Sequence, residues 1–391
     1  MTSSCVPKLL CAFLLLFLAS SLSFAQTFTT VIVDCTGATP GAFTSLSQAI
    51  ANSPDNSSFQ VSGTCKESGV TIENRHNLSI NPTPTATIQT IVPDQPLIFV
   101  GDSQNIGINN LTLNGGQGLE IVNSSNVTLI GNTIENSGSF GINASDSKVV
   151  VLTGSITANT RTGVVTNGGS VTLAGVNISN NGRLGISSST THLIITDGSS
   201  GGHNLPTVVN NNGIAGIQIS DTSQGDFTDL QINNNAGGNF GLMAFTNSAV
   251  VMQGGSISSN TGMGVICLST SHCEFAQTQI NSNTGGGIRT ATHSELELDG
   301  AVQISGNNGA GILIDQHSAF TSNGGNTISN NAGDALIVNA LSTLNLVAPD
   351  TITATGANLA LNCNNGSLVT GDISALKNKK CGTQFQAIPV H

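Results

Sequence analysis

Apolar and polar positions alternate along this chain in short runs, and the runs return at a nearly fixed interval. One phrase carries the interval: an Ile or Val, two small polar residues, an Asn, then a Gly within a few positions. It reads ITANTRTG at 156–163, ISNNG at 178–182, VNNNG at 209–213, INNNAG at 232–237, ISSNTG at 257–262, INSNTG at 280–285, ISGNNG at 304–309 and ISNNAG at 328–333. A new apolar run follows each phrase, opening at Val164, Ile186, Ile217, Leu242, Val265, Ile288, Ile312 and Ala335, with successive gaps of 22, 31, 25, 23, 23, 24 and 23 residues. Short alternating segments at this period predict a β-solenoid, and the Leu-rich consensus of leucine-rich repeats is absent. Within residues 164–185 the apolar positions Val164-Val165, Val171 with Leu173, and Val176 with Ile178 predict three strands per coil. The expected fold is therefore all-β, a parallel β-helix with Gly and Asn at its corners.

The Asn of the phrase has a physical reason. A sharp corner can require the left-handed conformation, which Asn tolerates better than most residues. Stacking would place Asn159, Asn181, Asn212, Asn235, Asn260, Asn283, Asn307 and Asn331 in one column at a strand spacing of about 4.8 Å. Their amides could then bond along the stack. The 31-residue gap holds an excursion, Gly201-Gly202-His203-Asn204-Leu205-Pro206, expected as a loop extruded from the coil.

The N-terminal part differs. FTSLSQAIANSP predicts a short amphipathic helix from Leu46 to Ala51, which would cover the open end of a solenoid. The pattern FTSLSQAIANSP…VSGTC-x-E-x-x-V-T-I resembles the N-terminal cap of the pectin-lyase-like superfamily of right-handed β-helix proteins. With the coils, the resemblance covers nearly all of the chain after residue 25. It implies the fold and a right-handed coil. It implies no single activity, because this fold hosts lyases, hydrolases, esterases, epimerases, tailspikes and adhesins. The expected organisation is a signal peptide at 1–25, an N-terminal cap and first coils at 26–96, regular coils at 97–362, and a C-terminal cap at 363–391.

Composition narrows the setting. Only 8% of the 391 residues are charged, 38% are hydrophobic, and 10 Lys+Arg stand against 21 Asp+Glu for a net charge of -11. The regular apolar spacing argues against disorder. The acidic balance argues against nucleic acid, since the densest basic patch is Lys377, Lys379 and Lys380. Residues 1–25 read as a signal peptide: Lys8, an apolar run from Leu9 to Leu18, and Ser23-Phe24-Ala25 before the cut. The expected location is extracellular or periplasmic, with no transmembrane segment after cleavage and a monomeric state. Six cysteines then remain, and sequence proximity pairs Cys35 with Cys65, Cys267 with Cys273, and Cys363 with Cys381. Metal binding is the competing reading, without a CxxC spacing to support it. Several sequons occur, for example at Asn110, Asn126, Asn143 and Asn177.

The resemblance implies what chemistry to look for. The NTD, DD and RIK-like motifs of polygalacturonase-like members are absent, and Gly202-His203-Asn204 matches their GHG only in part. Neither the GxxAxQD-type segment of pectin methylesterase-like members nor the DPHE of epimerase-like members is found. Lyase-like members need an acidic calcium site and a basic residue, and between Leu97 and Leu361 the cations are Lys148, Arg161, Arg183 and Arg289.

One constellation stands out: His272-Cys273-Glu274-Phe275, His293-Ser294-Glu295-Leu296 and His317-Ser318-Ala319-Phe320 on successive coils. Stacking is expected to bring His272 over His293 over His317, with Glu274 beside Glu295. Alternation should send Leu296 and Leu298 inward and Glu295, Glu297 and Asp299 outward. His272, Glu274, His293, Glu295 and Glu297 are thus candidates for acid–base catalysis. His293, His317, Asp299 and Asp315 are candidates for a divalent metal. The alternative is a solvated turn. Arg161 and Arg183, each 19 residues after a coil start at Ile142 or Val164, should stack and could clamp an acidic sugar, with His203 a further ligand contact. The chain has no Trp or Tyr, and Phe227, Phe240, Phe245, Phe275 and Phe320 are expected inside the coil. These features point to a non-catalytic extracellular protein that binds a polysaccharide or cell-surface glycan. The alternatives are a lyase or hydrolase acting on acidic glycans, and a passenger of an outer-membrane secretion system.

Overall fold

The computed structural model describes residues 28–200, 203–371, 373 and 376–381. The expected signal segment lies outside them. The chain winds as a parallel solenoid of about 13 turns, and each regular coil gives one strand to each of three sheets.

The first sheet stacks Ile142, Val164, Ile186, Ile217, Leu242, Val265, Ile288, Ile312 and Leu336 in one inward column. The last register corrects the expected start at Ala335. Leu336 pairs with Ile312, so Ala335 falls opposite Gly311, the small residue that precedes each strand. The second sheet runs through strands such as His192–Thr196, His272–Ala276 and Glu295–Leu298. The third is built of three-residue strands, from Thr112–Asn114 to Thr327–Ser329. Inward Val, Ile, Leu and Phe from all three fill a continuous core. Phe227, Phe240, Phe275 and Phe320 belong to the buried set as expected. Phe245 does not: it follows the buried Ala244 at the strand end and is half-buried on the outer side.

The expected Asn column forms in full. Each side-chain amide from Asn159 to Asn307 donates to Oδ1 of the next Asn at 2.9–3.1 Å. The left-handed conformation expected at this Asn does not fall on it. The left-handed residue is the one before the ladder Asn: Ala158, Asn180, Asn211, Asn234, Ser259, Ser282, Gly306 and Asn330 all have positive φ. The ladder Asn turns inward and is held by its hydrogen bonds.

A second ladder, not foreseen, lies at the corner between the first and second sheets. Two consecutive left-handed residues, such as Thr292-His293 and Gln316-His317, precede a buried Ser. The backbone N–H groups of Ser248, Ser271, Ser294 and Ser318 donate to the hydroxyls of Ser271, Ser294, Ser318 and Ser342 at 3.1–3.2 Å.

Three disulfides join Cys35 to Cys65, Cys267 to Cys273 and Cys363 to Cys381, as sequence proximity suggested. Cys267 and Cys273 are both buried and tie the two sides of one corner. The predicted helix is present as α1 (Leu46–Asn52), with Leu46, Ala49 and Ile50 buried. Glu67, the acidic residue of the resembling pattern, is buried and caps it. Its carboxylate accepts from Leu46 N–H at 2.6 Å and from the hydroxyls of Ser45 at 3.0 Å and Ser47 at 2.7 Å. The excursion in the long coil is a hairpin, Gly198–Ser200 antiparallel to His203–Leu205. Beyond residue 362 parallel stacking continues, with Lys379–Cys381 on Leu361–Cys363.

Candidate functional site

The acidic cluster of the second sheet forms, but in a different register from the one expected. His272 stands opposite Glu295, and Glu274 opposite Glu297. His293 is not above His272: it occupies the two-residue left-handed corner, where it stacks on His317 with ring centroids 5.2 Å apart and planes 7° off parallel. The corner consumes residues that the repeat phrase does not count. Alternation does hold within the strand: Leu296 and Leu298 are buried, while Glu295, Glu297 and Asp299 face out.

His272 Nε2 lies 3.8 Å from Glu274, and Nδ1 lies 3.5 Å from Glu295. The ligand-capable atoms of His272, Glu274 and Glu297 lie within 4.8 Å of one another, so these three could share a divalent ion. Asn323 donates to Glu297 at 2.7 Å and also to Asp299, joining two coils. Burial pushes the Glu274 carboxyl above its ordinary range, and the nearby Asp299 and Glu297 push the same way against the opposing pull of His272. A carboxyl that holds its proton more tightly than usual, beside an imidazole, is suited to proton transfer. The four residues expected to hold metal are not brought together as a set. Asp299 lies by Glu274, His293 and His317 form the ring stack, and Asp315 accepts from the backbone of Gln316 at 2.9 Å.

Arg161 and Arg183 stack as expected, with Arg183 N–H donating to the Arg161 carbonyl at 2.9 Å. Both are exposed, and the Arg161 guanidinium sits 5.6 Å over the Phe140 ring. Among the described residues neither pairs with a carboxylate. They follow the third sheet, whose outward columns are almost uncharged. One column runs Thr133, Ser155, Asn177, Val208, Gln231, Ser256, Gln279, Gln303, Thr327. His203 enters the hairpin through its backbone, and its side chain lies outside the described set.

Sequence reasoning missed a second His–carboxylate pair. His192 Nε2 and Asp226 Oδ2 are 2.6 Å apart, and the Gln224 amide donates to both Asp226 oxygens at 3.0 and 2.9 Å. The hairpin hides this pair, because it lengthens the coil so that His192 is opposite Gln224.

No helix among the described residues is long and apolar enough to cross a membrane. The fold is shared with the A-module of the mannuronan C-5 epimerase AlgE4 of Azotobacter vinelandii, at 12% identity and a TM-score of 0.50, covering 85% of this chain and 91% of that one. The corresponding AlgE6 module is similar at 14% identity and a TM-score of 0.45, covering 84% and 94%. The receptor-binding tailspike of bacteriophage Det7 is similar at 10% identity and a TM-score of 0.44, covering 92% and 76%. No curated protein matches the sequence significantly. The family described as right handed beta helix region matches residues 96–201 and 162–371, and the chain, with its stacked parallel coils, belongs to that family.

Proposed function

We propose that the protein is an extracellular glycan-binding β-helix that holds an acidic polysaccharide along its third sheet. The observation that carries this reading is the unpaired Arg161–Arg183 stack beside an uncharged polar ladder. In a chain of net charge -11, an anionic ligand needs local cations. Two arginines stacked on adjacent coils offer bidentate bonds to sugar carboxylates. The Ser, Thr, Asn and Gln columns offer donors and acceptors at a regular repeat of about 4.8 Å, suited to an extended chain. Three disulfides agree with an oxidising, extracellular setting.

Binding to a panel of acidic and neutral polysaccharides tests the reading. Acidic chains should bind more tightly at low salt, and an Arg161→Ala/Arg183→Ala double variant should lose at least about 10-fold in affinity. Unchanged binding in that variant would refute it. A second reading, a lyase or hydrolase of acidic glycans, is favoured by Glu274, whose carboxyl is pushed above its ordinary range, beside His272. The same panel, run with and without calcium and monitored for unsaturated products and reducing ends, tests it. Turnover lost in His272→Ala would replace the binding reading.

A further inference from the structure

We infer that Ser170, His192 and Asp226 form a nucleophilic centre that cleaves acyl esters. They lie on three successive coils of the second sheet. Ser170 is in register with His192, and His192 is in register with Gln224, two residues before Asp226. The alternating Val171, Leu173, Leu193 and Ile195 are buried, so Ser170 and His192 stand together on the outer face, about 4.8 Å apart along the stack.

The roles follow from the bonds. Asp226 can only accept when ionised, so the 2.6 Å contact fixes the proton of His192 on Nε2. That leaves Nδ1 as the basic nitrogen. Gln224 holds both oxygens of Asp226 and so keeps the imidazole oriented. Among the described residues Ser170 makes no side-chain hydrogen bond, which leaves its hydroxyl free to turn toward the imidazole. Unliganded sites commonly show such loose contacts between nucleophile and base. Lys148 is in register with Ser170 on the other side. Both border a shallow, open depression of the surface together with Ser124, Ser125 and Asp146, on the side of Ser170 away from His192.

The step balances without a further reactant. Ser170 Oγ bonds to the ester carbonyl carbon as its proton passes to His192 Nδ1. The tetrahedral oxyanion faces the Lys148 ammonium. Collapse breaks the ester C–O bond, and the departing alkoxide takes the proton from His192. Water then attacks the acyl-Ser170 carbonyl with His192 as base, the acid leaves, and Ser170 regains its proton. The net reaction turns ester and water into acid and alcohol. Acyl groups on the proposed glycan are the fitting substrate class, and for that substrate alone the inference rests on the glycan reading.

The test uses the full secreted chain, a fluorophosphonate probe and p-nitrophenyl acetate. The probe should label Ser170, and Ser170→Ala should abolish labelling. His192→Ala should slow ester cleavage by at least about 100-fold. Asp226→Asn, acting through His192, should lower kcat with KM unchanged. Circular dichroism checks that each variant keeps its coil. No labelling, labelling elsewhere, or a rate unchanged in folded Ser170→Ala would overturn the inference. Polysaccharide binding that depends on Arg161 and Arg183 would survive that result, so the two proposals fail separately.

Discussion

The side-chain amide of Asn260 donates to Oδ1 of Asn283 at 3.1 Å, and the backbone N–H of Asn260 donates to the same oxygen at 3.0 Å. The amide's other proton goes to the carbonyl of Ile232 at 3.0 Å. One fully buried residue thereby donates three hydrogen bonds inside the coil. Asn260→Ala would leave Asn235, whose N–H and amide both use Oδ1 of Asn260, without that partner. The expected loss is about 2–4 kcal/mol, from several buried groups left unpaired. Urea unfolding measures it, and a loss below about 1 kcal/mol would show that the ladder is filler rather than support.

The left-handed position beside the ladder predicts the opposite sign. Ala158 has φ 55°, where six of its seven equivalents are Asn or Ser and one is Gly. Ala158→Asn should stabilise by roughly 1 kcal/mol, because Asn relieves the left-handed cost. A lower urea midpoint in that variant would contradict the assignment of strain to this residue.

Glu274 should make stability depend on pH. Its folded carboxyl holds a proton above the ordinary value of 4.5, since burial, Asp299 and Glu297 disfavour its charge. In that window the folded state binds more protons than the unfolded one, so stability falls as pH rises. Thermal melts should show the wild type losing Tm relative to Glu274→Gln from pH about 4.5 upward. A divalent ion held by His272, Glu274 and Glu297 would reverse the trend, raising Tm most at the higher pH, where all ligands are deprotonated.

The disulfides should differ in weight. Cys35–Cys65 closes a separation of 30 residues and Cys267–Cys273 one of 6. Chain entropy alone gives about 3.5 kcal/mol for the first and about 2 kcal/mol for the second. Paired Cys→Ala variants, unfolded in urea, should keep that order. The reverse order would mean that packing at the buried corner outweighs loop closure.

Much of the coil was legible because it repeats. An inward Ile, a ladder Asn and a small Gly recur on nearly every turn, so their stacking follows from the interval alone. The cysteines pair with their nearest neighbours because each pair closes within a coil or between adjacent ones. The corner residues were less legible. Asn tolerates the left-handed conformation, so its position in the phrase suggested that role, yet Ala158, Ser259 and Ser282 occupy it one residue earlier.

The site shows where the sequence stopped. Similar tripeptides at His272, His293 and His317 suggested one column of imidazoles. Adding the 23-residue coil from Val265 to Ile288 to His272 gives Glu295, which is the observed partner. Resemblance between short segments misled where coil arithmetic would have served. The His192–Asp226 pair had no such signal, because the inserted hairpin breaks the interval between them.

The sequence by itself determined the solenoid, its inward columns and the Asn ladder, since each depends on local pattern repeated at one period, and the helical cap, from one amphipathic segment. Only the tertiary structure decided which outward residues meet. Their neighbours lie on other coils, and each two-residue corner or inserted hairpin resets the count that brings them together.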